Sequence, residues 1–380
     1  MNTVFYFYPH CYLKSTDKEI LVYNTLNKKN VYLKNYPLLQ CEKETFQRGF
    51  IKVSEKHDDF LNQCMALDLG YYLEFEKVVP FMYKRKMEFV TSLDKERNAL
   101  GYNLQSYTNS LLREVTILLN NGMKELTEEM CLQMEYPRYN NASVDVDFLL
   151  KQLSSFQCIE TIILSGELKT TLLYNVLEYA KKHNIHVIHR ILYDSVIITT
   201  VLKLMDNYSN LSMEIFIESL SEFAQVKSII RDQVCVKTII KSVNDVEKFD
   251  GIDNIIYLPV LSSKRNNTDI LLQMILSEEE ILHSTKTIKE CLLSDFINPS
   301  IYGHLTIDYD GSVLCLGNRI ASIYESDLTC VVNRWIGENG CIWYETRKKK
   351  ETCKDCALQS LCPPISIYEK ICMYKCPCKM

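Results

Sequence analysis

Six apolar runs recur along the middle of the chain, and amphipathic segments separate them. Runs such as IETIIL show no regular polar alternation, which is typical of parallel strands that are covered on both faces. Their alternation with helical segments predicts an α/β fold with a parallel sheet, either open or closed into a partial six-stranded (β/α)6 barrel. The predicted strands are 114–119, 159–164, 186–192, 211–217, 234–240 and 254–260.

The segment between the second and third runs has the pattern of a helix that leads directly into a strand. Leu173, Val176 and Leu177 fall on one helical face, and Lys182 lies in the last turn. Asn184 tolerates the left-handed conformation that ends many helices. We therefore predict that the helix ends at Asn184 and that the next strand follows at once.

The chain divides by pattern into three sections. Section 1–107 contains EILVYNTLNKKNVYL, in which NKKN predicts the turn of a β-hairpin, and a helical segment follows at 55–68. We expect a small α+β domain there. Section 108–290 carries the six strands, and section 291–380 is a cysteine-rich domain.

Charge and hydropathy exclude several classes of partner. The chain has 43 Lys and Arg against 48 Asp and Glu, and this balance gives no general attraction to nucleic acid or acidic membranes. No apolar run approaches the roughly 20 residues of a membrane-spanning helix, and residues 1–10 lack the features of a signal peptide. We expect a cytoplasmic protein without nucleic-acid or membrane partners.

Cysteines are concentrated at the end of the chain, where six of the 16 lie in the last 28 residues. Disulfides are rare in a reducing cytosol, so thiolate ligation of a metal is the leading interpretation. In CKDCALQSLC, Cys353 and Cys356 share a tight turn and Cys362 is near enough to be a third ligand. Spacing alone fits zinc and an iron–sulfur cluster equally. The candidates for a fourth ligand are Cys372, Cys376 and Cys378.

Two motifs in the last section resemble a known family. LTIDYDGSVLCLGN at 305–318 and CKDCALQSLCPP at 353–364 resemble the SPASM domain, the C-terminal extension of radical SAM enzymes that mature ribosomal peptides. The resemblance favours a [4Fe–4S] cluster over zinc. It also implies a metal domain of SPASM type at 291–380 and a radical-SAM-like barrel at 108–290.

SPASM domains normally hold two clusters, but this chain departs from that pattern. No cysteine lies between Cys291 and Cys315, and Ser366 stands where the last cysteine of C-x2-C-x5-C-x3-C is expected. Cys315 then has too few partners to hold a cluster. The resemblance therefore implies one [4Fe–4S] cluster, whose ligands would be Cys353, Cys356, Cys362 and Cys378, with Cys376 as the alternative fourth ligand.

The cluster that activates S-adenosylmethionine has no complete ligand set. Active radical SAM enzymes carry C-x3-C-x2-C after the first barrel strand, but segment 120–141 contains Cys131 alone. Aligning the motif on Cys131 places Thr127 and Met134 at the other positions, and neither side chain is a good cluster ligand. We expect no S-adenosylmethionine chemistry and therefore no catalytic residues.

A turn that resembles a cofactor-binding element follows the second predicted strand. Ser165, Gly166 and Glu167 stand where radical SAM proteins carry a GGEP-like turn, but the first glycine and the proline are replaced. The resemblance implies a vestigial cofactor turn. A strand-to-helix connection retained for folding is the alternative, and it is the one we favour.

The combined features closely resemble the pseudo-radical-SAM proteins of a Bacteroidales peptide-modification system. This resemblance implies a non-catalytic partner that binds the precursor peptide, a true radical SAM maturase, or both. The hairpin in 1–107 resembles leader-recognition domains, in which the peptide adds a strand to a sheet edge. Two alternatives stay open: an active peptide maturase with an unconventional cluster, and a zinc-stapled binding protein.

Overall fold

A computed structural model describes residues 3–81, 111–119, 130–131, 134–135, 144–166, 170–193, 197–230, 232–262, 270, 275–337 and 341–371. The strands are β1 Thr3–Phe7, β2 Cys11–Ser15, β3 Glu19–Asn24, β4 Asn30–Lys34, β5 Phe50–Lys52, β6 Gly70–Glu74, β7 Glu114–Leu118, β8 Met130–Cys131, β9 Thr161–Ser165, β10 His186–Leu192, β11 Leu211–Ile217, β12 Val234–Ile240, β13 Ile255–Pro259, β14 Leu261–Ser262, β15 His304–Ile307, β16 Ser312–Cys315 and β17 Asn318–Ser322.

The α-helices lie mainly between the strands of the middle section. They are α1 Gln40–Gln47, α2 Asp58–Ala66, α3 Val146–Leu153, α4 Thr170–His183, α5 Ile197–Asn207, α6 Leu220–Val226, α7 Val243–Lys248, α8 Glu278–Leu282, α9 Ile288–Ser294, α10 Leu328–Gly337 and α11 Ile367–Ile371. Within the described ranges, no helix is both long enough and apolar enough to cross a bilayer.

A large mixed sheet dominates the fold, in the order β13-β12-β11-β10-β9-β7-β15-β16-β17. From β7 to β13, the six neighbouring strands are parallel and follow the order of the chain. Each predicted run coincides with one of these six strands, although β9 extends one residue beyond its run. The predicted α/β class with a large parallel sheet is therefore confirmed.

The two faces of this sheet bury different side chains. Ile162, Val187 and Leu211 lie in register on the face that packs against helices α3 and α4. The alternate residues, such as Phe216 and Ile239, form a separate apolar cluster on the opposite face. We call this second side the inner face. Burial on both sides explains why runs such as IETIIL lack a polar alternation.

Strands β15 to β17 extend the same sheet beyond β7. Strand β15 pairs in parallel with β7, and β16 and β17 complete an antiparallel meander. In the DG element, Gly311 forms the turn between β15 and β16 with φ of +79°, a conformation that strongly favours glycine. Leu305 and Trp343, which lie after the predicted boundary at 290/291, thus pack in the same core as side chains of the parallel strands.

The N-terminal section contains two three-stranded antiparallel sheets, β5-β1-β6 and β2-β3-β4. The predicted hairpin is confirmed, because β3 and β4 pair antiparallel around a turn that contains Lys28 at φ of +66°. One face of β2-β3-β4 packs on the N-terminal core through Ile20 and Val22. The other face packs through Leu21 and Tyr23 on the C-terminal cysteine segment.

Helix α4 is followed by Asn184 in the left-handed conformation, as predicted. Asn184 has φ of +56°, and the next residue, Ile185, donates its N–H to the Ala180 carbonyl at 2.8 Å. We expect Asn184→Val to lower the free energy of unfolding by about 1 kcal/mol, because a β-branched side chain is strained there. Asn184→Gly should preserve stability. Urea denaturation measures both variants, and equal losses would contradict this assignment.

Candidate functional site

Three of the predicted ligands lie in one buried segment. Cys353, Cys356 and Cys362 are each less than 10% exposed and flank a short 3-10 helix at Ala357–Ser360. The Cys356 N–H donates to the Cys353 carbonyl at 3.0 Å, and the Cys362 N–H donates to the Leu358 carbonyl at 2.9 Å.

We call residues 353–362 the thiol segment. Its cysteine side chains are suitable metal ligands, but they are not grouped closely enough to hold a metal. Buried thiols suit either zinc or an iron–sulfur cluster. Near Cys362, the Thr346 Oγ1 and Gln359 Oε1 atoms are buried without a hydrogen-bond partner. Within the described ranges, however, no three Cys, His, Asp or Glu side chains are grouped closely enough to hold a metal.

The structure does not test the candidates for a fourth ligand. Cys372, Cys376 and Cys378 lie outside the described residues. The ligand set therefore stays a prediction, of which three members share one buried segment.

A buried arginine lies against the thiols. The Arg347 guanidinium donates to both Glu369 oxygens at 2.6 and 3.1 Å, and its Nη1 lies 4.0 Å from the Cys353 sulfur. Burial by itself lowers the pKa of Arg347, but the negative charges of Cys362, Glu369 and Cys353 outweigh it and raise the pKa. A permanent cation at this position favours thiolate over thiol.

The sequence pattern did not point to this arginine, because Arg347 begins the run RKKK and such a run of basic residues is typical of a solvated loop. The structure instead divides the run. Arg347 is 4% exposed, and Lys350 also pairs with Glu369 at 2.7 Å.

Asp295 joins the thiol segment to the N-terminal sheet. Its buried carboxylate accepts hydrogen bonds from the Tyr12 hydroxyl at 3.2 Å and from the Ser360 hydroxyl at 2.5 Å. Lys14 forms an ion pair with it at 3.1 Å. Burial and the Asp295 charge raise the pKa of Tyr12 well above its usual value, so the phenol stays neutral and donates. Strand β2, helix α9 and the thiol segment therefore meet at one carboxylate.

Ser366 and Cys315 occupy two positions that would hold a second cluster in the SPASM pattern, and both have structural roles. The Ser366 Oγ accepts a hydrogen bond from the Glu369 N–H at 3.3 Å, at the start of helix α11. Cys315 ends β16 and is buried in the main apolar core. The serine thus caps a helix, and the cysteine fills part of an apolar core.

An ion network occupies the inner face of the large sheet. Glu214 on β11 pairs with Arg190 on β10 at 2.6 Å and with Lys237 on β12 at 2.8 Å. Burial acts to raise the pKa of Glu214, but the two cations outweigh it and the pKa is lowered. The network ties three parallel strands together, and its two cations and one carboxylate leave a net charge of +1.

The vestigial turn is only partly described. Ser165 is fully buried at the end of β9, and Gly166 follows with φ of +107°. The Gly166 carbonyl lies 3.1 Å from the Nε2 of His189, a buried histidine whose pKa is lowered to about 4 by desolvation. Glu167 lies outside the described residues. The neutral imidazole supports the turn, which agrees with a role in folding.

Of the three positions where a radical SAM enzyme has cysteines, two are described at least in part. Thr127 lies outside the described residues, and Cys131 belongs to the short strand β8, which pairs antiparallel with β14. Met134 is half-buried against the apolar cluster on the inner face. The side chain at the third position thus packs as a hydrophobe.

The next residue, Glu135, was not singled out by sequence and lies at the carboxyl end of the parallel strands. Its carboxylate accepts hydrogen bonds from the Thr306 hydroxyl and from the Gly317 N–H, the latter at 3.0 Å. Burial raises the pKa of Glu135 to about 7, and Asp308 adds to the shift, whereas the Gly317 N–H and Arg190 oppose it. This carboxyl group can change its protonation state near neutral pH.

No family model matches the chain. No curated protein matches it either. Among solved structures, the chain is similar to Streptococcus suis SuiB bound to the precursor peptide SuiA, with 11% identity over 98% of each chain and a TM-score of 0.43. It is also similar to SuiB bound to S-adenosylmethionine, with 11% identity over 98% of this chain and 97% of that one and the same TM-score. A third similar structure is anSMEcpe with bound AdoMet, with 10% identity, a TM-score of 0.37, and coverage of 68% of this chain and 94% of that one.

Asp295→Asn should strongly destabilise the protein, because it leaves Lys14 buried without its counter-charge. We expect the free energy of unfolding to fall by about 3 kcal/mol. Lys14→Met in the Asp295→Asn background should recover part of this loss. Chemical denaturation of both single variants and the double variant measures the coupling, and additive effects would show that the ion pair contributes nothing.

Glu135→Gln should change how stability depends on pH. Because the folded pKa of Glu135 is raised to about 7, the folded protein binds more protons than the unfolded chain between about pH 4.5 and 7. Wild-type stability should therefore fall as pH rises through this window. With allowance for partial exposure, the variant should be more stable by about 2 kcal/mol at pH 8 and unchanged near pH 5. Thermal unfolding at both pH values tests this, and a pH-independent difference would contradict it.

Proposed function

We propose that this chain is a cytoplasmic, non-catalytic pseudo-radical-SAM protein of ribosomal peptide maturation. It binds the precursor peptide, a true radical SAM maturase, or both. One observation carries the proposal: thiols are buried beside a cation in the C-terminal segment, whereas Met134 packs as a hydrophobe where an active enzyme needs a thiolate. The C-terminal segment thus keeps its donors, and the carboxyl end of the sheet has lost its own.

In this proposal the chain has three units, each with its own role. Residues 1–107 hold the leader peptide, residues 108–290 form a degenerate (β/α)6 barrel, and residues 291–380 form a SPASM-like domain. The six parallel strands in chain order support the barrel assignment, and the DG turn at Gly311 followed by the thiol segment supports the third unit.

The third unit holds one [4Fe–4S] cluster through Cys353, Cys356, Cys362 and Cys378, with Cys376 as the alternative fourth ligand. A bound cluster would supply either a structural crosslink or a one-electron relay. Arg347 orients the segment through the Pro363 and Pro364 carbonyls and offsets negative charge at the thiolates. S-adenosylmethionine is not a cofactor in this proposal, and Ser165, Gly166 and Glu167 remain only as a folding turn.

The leader peptide adds to the edge of β4. Both faces of β2-β3-β4 are covered, so only an edge can accept a peptide. Among the described strands, β4 pairs with β3 alone. The Asn24 N–H donates to the Lys29 carbonyl, so in this register the N–H groups of Tyr32 and Lys34 point away from β3. Those donors are available for β-strand addition.

Metal analysis distinguishes the three candidate functions. After anaerobic reconstitution we expect about four iron atoms per chain and a brown sample. Eight or more would favour the active maturase, and a colourless zinc-containing sample would establish the stapled binding protein. Cys356→Ala should abolish iron binding, whereas the matched control Cys315→Ala should retain it. Retention by both variants would remove the thiol segment from the proposal.

Lys34→Pro tests the leader site. Proline removes the outward N–H of an exposed edge residue without removing a ladder bond to β3. We expect at least tenfold weaker binding of a labelled precursor leader peptide, measured by fluorescence anisotropy. Lys34→Ala keeps the N–H but loses the Glu278 ion pair, and it should bind as wild type. Equal affinity of all three proteins would exclude the β4 edge.

A further inference from the structure

The chain places one of its own segments against the carboxyl end of the parallel sheet. Strand β8 at Met130–Cys131 pairs antiparallel with β14 at Leu261–Ser262, directly after the last parallel strand. Met134 and Glu135 lie a few residues further along. We call residues 130–131 and 134–135 together the strap.

Met134 occupies an apolar part of the inner face. It packs against a cluster of four buried side chains that stand near the carboxyl ends of their strands or just beyond them. These side chains are Phe216, Ile239, Leu258 and Val260, and each is at most 5% exposed. An unbranched thioether fills such a surface without needing a polar partner.

Glu135 occupies a polar part of the same end. Its carboxylate accepts from the Thr306 hydroxyl and the Gly317 N–H, and Arg190 contributes a favourable charge. Its backbone carbonyl accepts from the Ser165 hydroxyl at 3.3 Å. One side-chain hydroxyl, one backbone N–H and a nearby guanidinium would therefore receive any carboxylate of similar reach, and the Ser165 hydroxyl would receive the backbone carbonyl of the same residue.

The strap therefore makes three kinds of contact that extended peptides make with their binding sites. These are a backbone ladder, an apolar pocket and a charge-assisted anchor for the following residue. None of the three requires that the occupant belong to the same chain.

We propose that the carboxyl end of the sheet is a second peptide site, which accepts an extended peptide with an apolar residue followed directly by Asp or Glu. Met134 and Glu135 occupy this site as an internal stand-in, and an incoming peptide must displace them. The inference goes beyond the proposed function, because this site shares no residue with the β4 edge and does not depend on the cluster.

Displacement predicts that weakening the strap strengthens binding of a peptide in trans. The test uses the full chain and a fluorescein-labelled synthetic peptide that copies residues 128–137, with serine in place of Cys131. Met134→Ser combined with Glu135→Ala should bind this peptide at least tenfold more tightly than wild type. A control peptide with serine and glutamine in place of Met134 and Glu135 should bind neither protein.

Two further variants keep the test decisive if the double variant is unstable. Met134→Leu preserves the apolar contact and should bind the probe as wild type does. Thr306→Val, added to a strap-weakened protein, removes one donor from the site itself, so it should weaken binding of the probe to that protein at least threefold. Equal probe affinity of wild type and the strap variant, or equal binding of probe and control peptides, would overturn the proposal. Either outcome leaves the Lys34→Pro result unaffected.

Discussion

A single buried carboxylate, Asp295, holds the N-terminal sheet to the cysteine segment. Removing a carboxylate from water is costly unless its charge and its lone pairs are satisfied, and here Lys14, Tyr12 and Ser360 supply those contacts. The donors come from β2 and from the segment between Cys356 and Cys362. If either side moved away, a charge would remain buried without its partners. The position of the thiol segment is thus tied to the first strands of the chain.

The sequence predicted the parts of the fold that depend on local pattern. Six apolar runs gave six parallel strands, NKKN gave a hairpin, and Asn184 ended a helix. In each case, the residues that determine the structure lie within a short window. The pairing of β15 with β7 was not predicted. Nearly all the other strands of the parallel sheet lie between these two in the sequence, and hydrophobic periodicity indicates which residues are buried but not which strand is adjacent.

The candidate sites show the same limit. Spacing drew attention to three cysteines that lie in one buried segment, and family resemblance drew attention to Ser366, which caps a helix. Neither approach found Arg347 or Glu135. Arg347 stands in a run of basic residues that resembles a solvated loop, and Glu135 stands among ordinary polar residues. Their roles arise from distant partners, Glu369 and Cys353 for the first and Thr306 and Gly317 for the second, which no local pattern contains.

The two-sided burial of β2-β3-β4 has a consequence for biosynthesis. Leu21 and Tyr23 leave the ribosome early, but the surface that covers them includes Leu358 and Leu361, which are translated more than 300 residues later. At about 5–20 residues per second, this apolar face waits roughly 20 to 60 s for its cover. During that interval, the nascent chain presents a sheet with one unprotected side, which is the kind of surface that chaperones bind.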